Sequence, residues 1–369
     1  MTRVGRIELL LVGLPLARPF RTSFGIATRK ECVVIRVETD GAEGWGECVA
    51  DVEPDFSAEW NGSVWSAIEG FLGPALLHEQ DVTAGSLSDV FGSVRGNPMA
   101  KATLVNALLD AELRERDESL ASYLGADKKE VVCGVSVGIT ETVDELRAQV
   151  DGYLAEGYRR IKLKIAPGLD LDRVAPIRAH HPDILLSVDA NAAYTLEDLD
   201  VFRALDAFDL LMIEQPLHHE DLVQHAKLQA QIRTDLCLDE SIRSAADAAA
   251  ALEVGACRIV NIKQGRVGGV LEARAVHDVC LGAGVPVWCG GMLETGIGRA
   301  TNLALAAMPG FTLPNDTSAS ARYFPEDLTE PFVLESDGTM WVPDGPGIGV
   351  VPLPDRLEAC TLRREVLEA

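Results

Sequence analysis

Five charged residues recur at nearly constant intervals. Lys164, Asp189, Glu214, Asp239 and Lys263 lie 25, 25, 25 and 24 residues apart, and each closes a short apolar run. Three carboxylates brought together repel one another unless a cation sits among them. Oxygen ligands with no His or Cys select a hard ion such as Mg²⁺, with Mn²⁺ or Co²⁺ as substitutes. A small-molecule carboxylate held there between two lysines could lose its α-proton on one side. It could receive a proton, or lose a leaving group, on the other. A lysine works as a base only when its pKa falls toward the operating pH, which burial and a neighbouring cation both favour. Lys162, one alternation below Lys164, is such a cation. The competing reading is a buried ionic network of acids and lysines, which is costly to bury without a function.

An interval of about 25 residues is that of one strand plus one helix, as in a β/α barrel. Residues 1–125 read differently, with strands at 4–12, 32–38 and 44–49 followed by helical spacing at 57–72 and 99–120, the pattern of an α+β domain. Over 126–325 apolar runs at 131–138, 160–165, 184–189, 210–214, 236–239, 259–263, 285–289 and 311–313 alternate with helical segments at 142–155, 196–205, 221–232, 245–254 and 269–281. Eight evenly spaced strands favour closure over an open doubly wound sheet. The expected fold class is therefore α/β, a (β/α)7β TIM-like barrel with an N-terminal α+β capping domain. Residues 326–369, rich in proline, read as an irregular segment packing back on the cap. Residues i and i+2 of a strand share a face. Lys162 and Lys164 therefore point into the barrel, Asp189 with Ser187, Glu214 with Met212, Asp239 with Cys237, and Lys263 with Asn261.

Composition narrows the function further. A net charge of −24 argues against nucleic acid, which needs clustered Lys and Arg. The first apolar stretch is broken by Gly13, Pro15 and Pro19, so it reads as a strand instead of a signal peptide, and no run is long enough to span a membrane. Eight scattered cysteines without a C-x-x-C pair suit reduced core positions in a cytoplasmic protein. A homo-oligomer is expected.

As a set, P-F-R-T-S-F-G (19–25), G-W-G-E-C (44–48), R-I-K-L-K (160–164), V-D-A-N (188–191), I-E-Q-P-L (213–217), C-L-D-E-S (237–241), N-I-K-Q-G-R-V-G-G (261–269), W-C-G-G-M-L-E-T-G-I-G-R (288–299) and D-T-S-A-S (316–320) resemble the enolase superfamily. Within it the chain is similar to the muconate-lactonising-enzyme subgroup, and there to o-succinylbenzoate synthases and N-succinylamino acid (N-acylamino acid) racemases. The resemblance implies Asp189, Glu214 and Asp239 as Mg²⁺ ligands, Lys164 and Lys263 as the acid/base pair, and Lys162 as the residue tuning Lys164. It implies Asn191 and Glu240 as residues orienting the ligands. It also implies a loop at 21–25, with Arg21 and Phe24, closing over substrate, and Ser136, Gly290, Gly291, Met292 and Leu293 lining the pocket for a succinyl group. For Arg21 and Glu294 a surface ion pair competes with that role, and for Gly290 and Gly291 a structural turn does. The chain departs from the pattern at Gln264, where relatives often carry proline, and near Asp51 and Phe56 in a cap loop that contacts substrate.

The resemblance implies two activities that share one intermediate: dehydration to o-succinylbenzoate on the menaquinone pathway, and racemisation of N-succinyl or other N-acyl amino acids. A dedicated N-acylamino acid racemase or a dipeptide epimerase is the alternative within the subgroup. A Schiff-base barrel enzyme, insensitive to chelators, and a catalytically silent barrel are the rivals outside it.

Overall fold

The computed structural model describes residues 2–21 and 26–369. The N-terminal part is an antiparallel sheet of β1 (Val4–Arg21), β2 (Ile26–Thr39) and β3 (Glu43–Glu47). Cys32, Val33, Val34 and Ile35 are fully buried in succession, so this sheet is covered on both faces. β1 runs well past residue 12, because its pairing with β2 tolerates a register shift between Pro15 and Phe20, where Pro15 and Pro19 cannot donate. The helix Pro98–Glu115 packs on β3, and a Cβ on Gly44 or Gly46 would overlap the backbone of Ala107 or Thr103. The helix expected at 57–72 starts at Asn61 and continues as a π-turn, Ile68–Leu72, and a further α segment, Gly73–His78. That expected at 99–120 stops at Glu115, and a separate short helix, Leu120–Leu124, follows.

The second part is a parallel sheet in chain order: β4 (Gly134–Val137), β5 (Arg160–Lys164), β6 (Leu185–Asp189), β7 (Ile213–Glu214), β8 (Leu236–Leu238), β9 (Ile259–Ile262) and β10 (Val287–Cys289). The run at 131–138 divides, with Glu130–Val132 pairing instead with Thr339–Trp341. The eighth strand expected at 311–313 is not a regular strand. It is reduced to single bridges, Phe311 with Val287 and Asn315 with Cys133. Residues 311–316 nevertheless close the ring. Gly134 N donates to Asn315 O at 2.6 Å, Asp316 N to Cys289 O at 2.9 Å, and Cys289 N to Asn315 Oδ1 at 2.6 Å. Pro314 has no N–H to give to the ladder there, its carbonyl accepts from Arg160, and the Asn315 side chain accepts from Cys289 N.

The barrel interior below the strand ends is a small apolar layer, Met212, Cys237, Ile259 and Trp288, separate from the main core. Met212 and Cys237 sit two residues before Glu214 and Asp239, as alternation requires. The tail is not irregular throughout, since β11 (Thr361–Glu368) pairs antiparallel with β1, Leu367 opposite Ile7. Among the described residues no helix is long and apolar enough to cross a membrane.

Candidate active site

Each recurring charged residue ends a strand or immediately follows one. Lys164 closes β5, Asp189 β6 and Glu214 β7, while Asp239 and Lys263 directly follow β8 and β9. Parallel register sets them level, with Lys164 opposite Asp189 and Asp189 opposite Glu214. All three carboxylates and Lys162 are buried. The structure thus gathers the acids and lysines at one mouth, with β5 and β9 four positions apart around the ring.

The acids are matched to cations one by one. Lys164 Nζ donates to Asp189 Oδ2 at 2.7 Å and to Asn191 Oδ1 at 2.6 Å. Lys263 Nζ reaches Asp239 Oδ2 at 2.8 Å, and Arg266 bonds the other oxygen of that carboxylate. Lys162 Nζ lies 2.8 Å from Glu214 Oε2, 2.8 Å from Asp316 Oδ2 and 3.4 Å from Asp189 Oδ2. Burial acts to lower the Lys162 pKa, but Asp316, Glu214 and Asp189 outweigh it and hold the amine charged, well above the usual lysine range. Burial likewise acts to raise Asp189, yet Lys164 and Lys162 keep its carboxyl below the usual range. Lys162 therefore neutralises the floor of the site by contact with three acids. The ionic pairing weighed against a metal centre is the arrangement these side chains adopt here.

Several oxygens are poised for something more. Asn191 Nδ2 donates to Glu240 Oε1 at 2.9 Å, while Glu240 Oε2 is buried without a hydrogen-bond partner among the described residues. Burial, and then the charge of Asp189, push the Glu240 carboxyl up. An unpaired buried carboxylate oxygen beside three further carboxylates and no imidazole or thiolate is a donor set that fits a hard divalent cation.

Around this centre, Ser136 stands beside Lys162 in the β4–β5 register and its buried Oγ lacks a partner among the described residues. Gly290 and Gly291 follow β10. A Cβ on Gly290 would sit 2.8 Å from Lys263 Cε, and one on Gly291 2.6 Å from Asp316 O, so both glycines allow close approach to the site and do more than turn the chain. Met292 and Leu293 are half-buried, with Leu293 at φ +59°, and Met292 N donates to Glu294 Oε2 at 2.8 Å. Among the described residues Glu294 makes no ion pair. It is buried and also accepts from Asn302 Nδ2 at 2.9 Å. Arg21 ends β1, opposite Ile26, while Phe24 and the rest of the loop at 22–25 lie outside the described residues.

The cap reaches the mouth directly, with the Phe56 ring centred 4.9 Å from Lys263 Nζ. Asp51 pairs with Lys30 at 2.8 Å. Gln264 begins a short helix after Lys263 and accepts from cap residue Asn106 at 2.6 Å, a tether that proline could not provide. Sequence reasoning missed Asp316, Arg160 and Arg266. Arg160 pairs with Asp316 at 2.7 Å, and both Arg160 and Lys162 stand over the Trp288 ring. Arg160 shares the alternation of Lys162 and Lys164, so the same rule would have found it.

Residues 6–125 match the mandelate racemase / muconate lactonizing enzyme N-terminal domain, and residues 145–356 the enolase C-terminal domain-like family. The chain is 52% identical over 360 residues to an N-succinylamino acid racemase of an Amycolatopsis species, covering 97% of this chain and 98% of the relative. It is 49% identical over 337 residues to an o-succinylbenzoate synthase of Geobacillus stearothermophilus, covering 91% and 90%. A crystal structure of an enolase superfamily member from Listeria innocua Clip11262 superposes with a TM-score of 0.96 at 39% identity, covering 100% of both chains. The chain belongs to the mandelate racemase / muconate lactonizing enzyme family of the enolase superfamily, among its o-succinylbenzoate synthase and N-succinylamino acid racemase enzymes.

Proposed function

We propose that this chain removes the α-proton of a small-molecule carboxylate, acting as an o-succinylbenzoate synthase that also racemises N-succinylamino acids. One observation carries the reading: two lysines on strands four apart in a closed ring, with three buried acids on the strands between them. Asp189, Glu214 and Asp239 would hold Mg²⁺, with Asn191 and Glu240 fixing their orientation. When bound, the cation supplies positive charge that offsets the negative charge growing on the substrate carboxylate as the proton leaves.

The chain's own residues do the rest. Lys164 and Lys263 address opposite faces of the α-carbon, so one takes a proton while the other returns one, which inverts the centre. Dehydration needs a single base, and the second ammonium then contributes charge alone. Lys162, kept charged by its three acids, balances the floor of the site and does not titrate with the reaction. Phe56 covers Lys263, and residues 290–293 wall the side that would take a succinyl group. The buried, unpaired cysteines suit a reducing compartment such as the cytoplasm.

The test is turnover of both substrates by one preparation, with Mg²⁺ and with EDTA. The reading expects both activities and the loss of both on chelation. Chelator-resistant turnover with borohydride trapping of a lysine would contradict it.

A further inference from the structure

Away from the barrel mouth, the described residues hold a cluster of metal-ligating type: Asp151, His180 and His181. Asp151 lies on the helix Val143–Glu156 after β4. His180 is the last residue of the helix Leu171–His180 after β5, and His181 caps it. Helices of a β/α barrel return toward the strand N-termini, so the histidines sit at the end of the barrel opposite the acids and lysines.

The geometry favours chelation over a simple surface pair. His181 Nε2 is 2.7 Å and His180 Nε2 3.7 Å from the same atom, Asp151 Oδ1. A hydrogen bond to Asp151 accounts for His181 but leaves His180 too distant for one. The two rings stand at 81° with centroids 4.6 Å apart. One atom from each residue falls within 4.8 Å of the others. Ligands at about 2.0–2.1 Å from a tetrahedral ion lie roughly 3.4 Å apart, so small side-chain rotations suffice, and His180 and Asp151 are half-exposed and able to make them. The helix ending at His180 adds the negative end of its dipole. Arg178, the nearby cation on that helix, is held by the carbonyls of Phe208, Asp209, Pro182 and Ile184.

We propose that Asp151, His180 and His181 bind a borderline divalent transition-metal ion on the outer wall of the barrel, separately from the hard cation at the mouth. Two imidazoles and one carboxylate select zinc-like ions, whereas the all-oxygen set at the mouth selects Mg²⁺, so the protein would sort the two ions by ligand softness.

The probe is Zn²⁺, titrated calorimetrically into the full-length enzyme already saturated with Mg²⁺. The wild type should show one saturable site and a zinc-dependent rise in melting temperature. The variant His180→Ala/His181→Ala should lose both and keep its Mg²⁺-dependent activity. Equal zinc binding by wild type and variant would overturn the proposal. So would binding that disappears in Asp239→Asn but persists in the double-histidine variant, since it would place zinc at the mouth alone.

Discussion

The Thr295 hydroxyl and backbone N–H both donate to the Glu47 carboxylate, at 2.7 and 2.9 Å, joining the third strand of the cap to the last helix of the barrel. Gly298 N adds a bond to Glu47 at 2.8 Å, Asp327 accepts from Gly296 N at 2.9 Å, and Thr295 Oγ1 from Ile297 N at 3.3 Å. Side chains thus satisfy all four N–H groups that open the helix Gly296–Ala306, a terminus that in other barrels can receive a substrate anion.

Burial pushes the Glu47 carboxyl up to about 7, although the Thr295 and Gly298 donors pull the other way. An acid whose folded pKa is raised binds more protons folded than unfolded, so its contribution to stability falls as pH rises between the two values. Between pH 5 and pH 8 this group alone should lower stability by roughly 2.5 kcal/mol. Urea unfolding of wild type and Glu47→Gln at both pH values measures it. The stability advantage of the wild type should shrink with rising pH, and a constant difference would refute the assignment.

Gly290→Ala places a methyl 2.6 Å from Asn261 Nδ2 and 2.8 Å from Lys263 Cε. Displacing a reacting amine by about 1 Å costs on the order of 100-fold in rate. Racemisation should fall by about that factor while Mg²⁺ affinity, set by Asp189, Glu214 and Asp239, is retained. Unchanged kcat with only a raised KM would show that the glycine serves binding alone.

The ring of five was legible because a constant interval of one strand plus one helix put like positions at like heights, and strand alternation then gave direction. The same logic could not find Asp316 or Arg266. Asp316 belongs to the segment 311–316, whose ladder is interrupted at Pro314, and no period-two pattern reaches it. Arg266 lies in the short helix Gln264–Val267, where a strand rule has no force. The helix boundaries at 57–72 and 99–120 shifted because caps and a π-turn set them, and apolar spacing carries no record of either.

Lys162 holds three buried acids together, so Lys162→Met should leave Glu214 with the neutral Asn261 amide as its hydrogen-bond donor and no ion-pair partner among the described residues, while Asp189 keeps Lys164 and Asp316 keeps Arg160. Breaking a buried ionic group by removing one partner costs about 3–5 kcal/mol. Denaturant unfolding without divalent cation should show a loss of that size, and added Mg²⁺ should recover part of it by mass action. Wild-type stability in the variant would show that the acids find other partners.

The central claim is that Lys164 and Lys263 face opposite sides of one carbon. It is tested by following the exchange of the α-hydrogen of each N-succinylamino acid enantiomer in deuterated water with Mg²⁺, using wild type, Lys164→Ala and Lys263→Ala. The wild type should exchange both enantiomers, and each variant should exchange a different single enantiomer without racemising it. Racemisation surviving in either variant, or both folded variants exchanging the same enantiomer, would contradict the account.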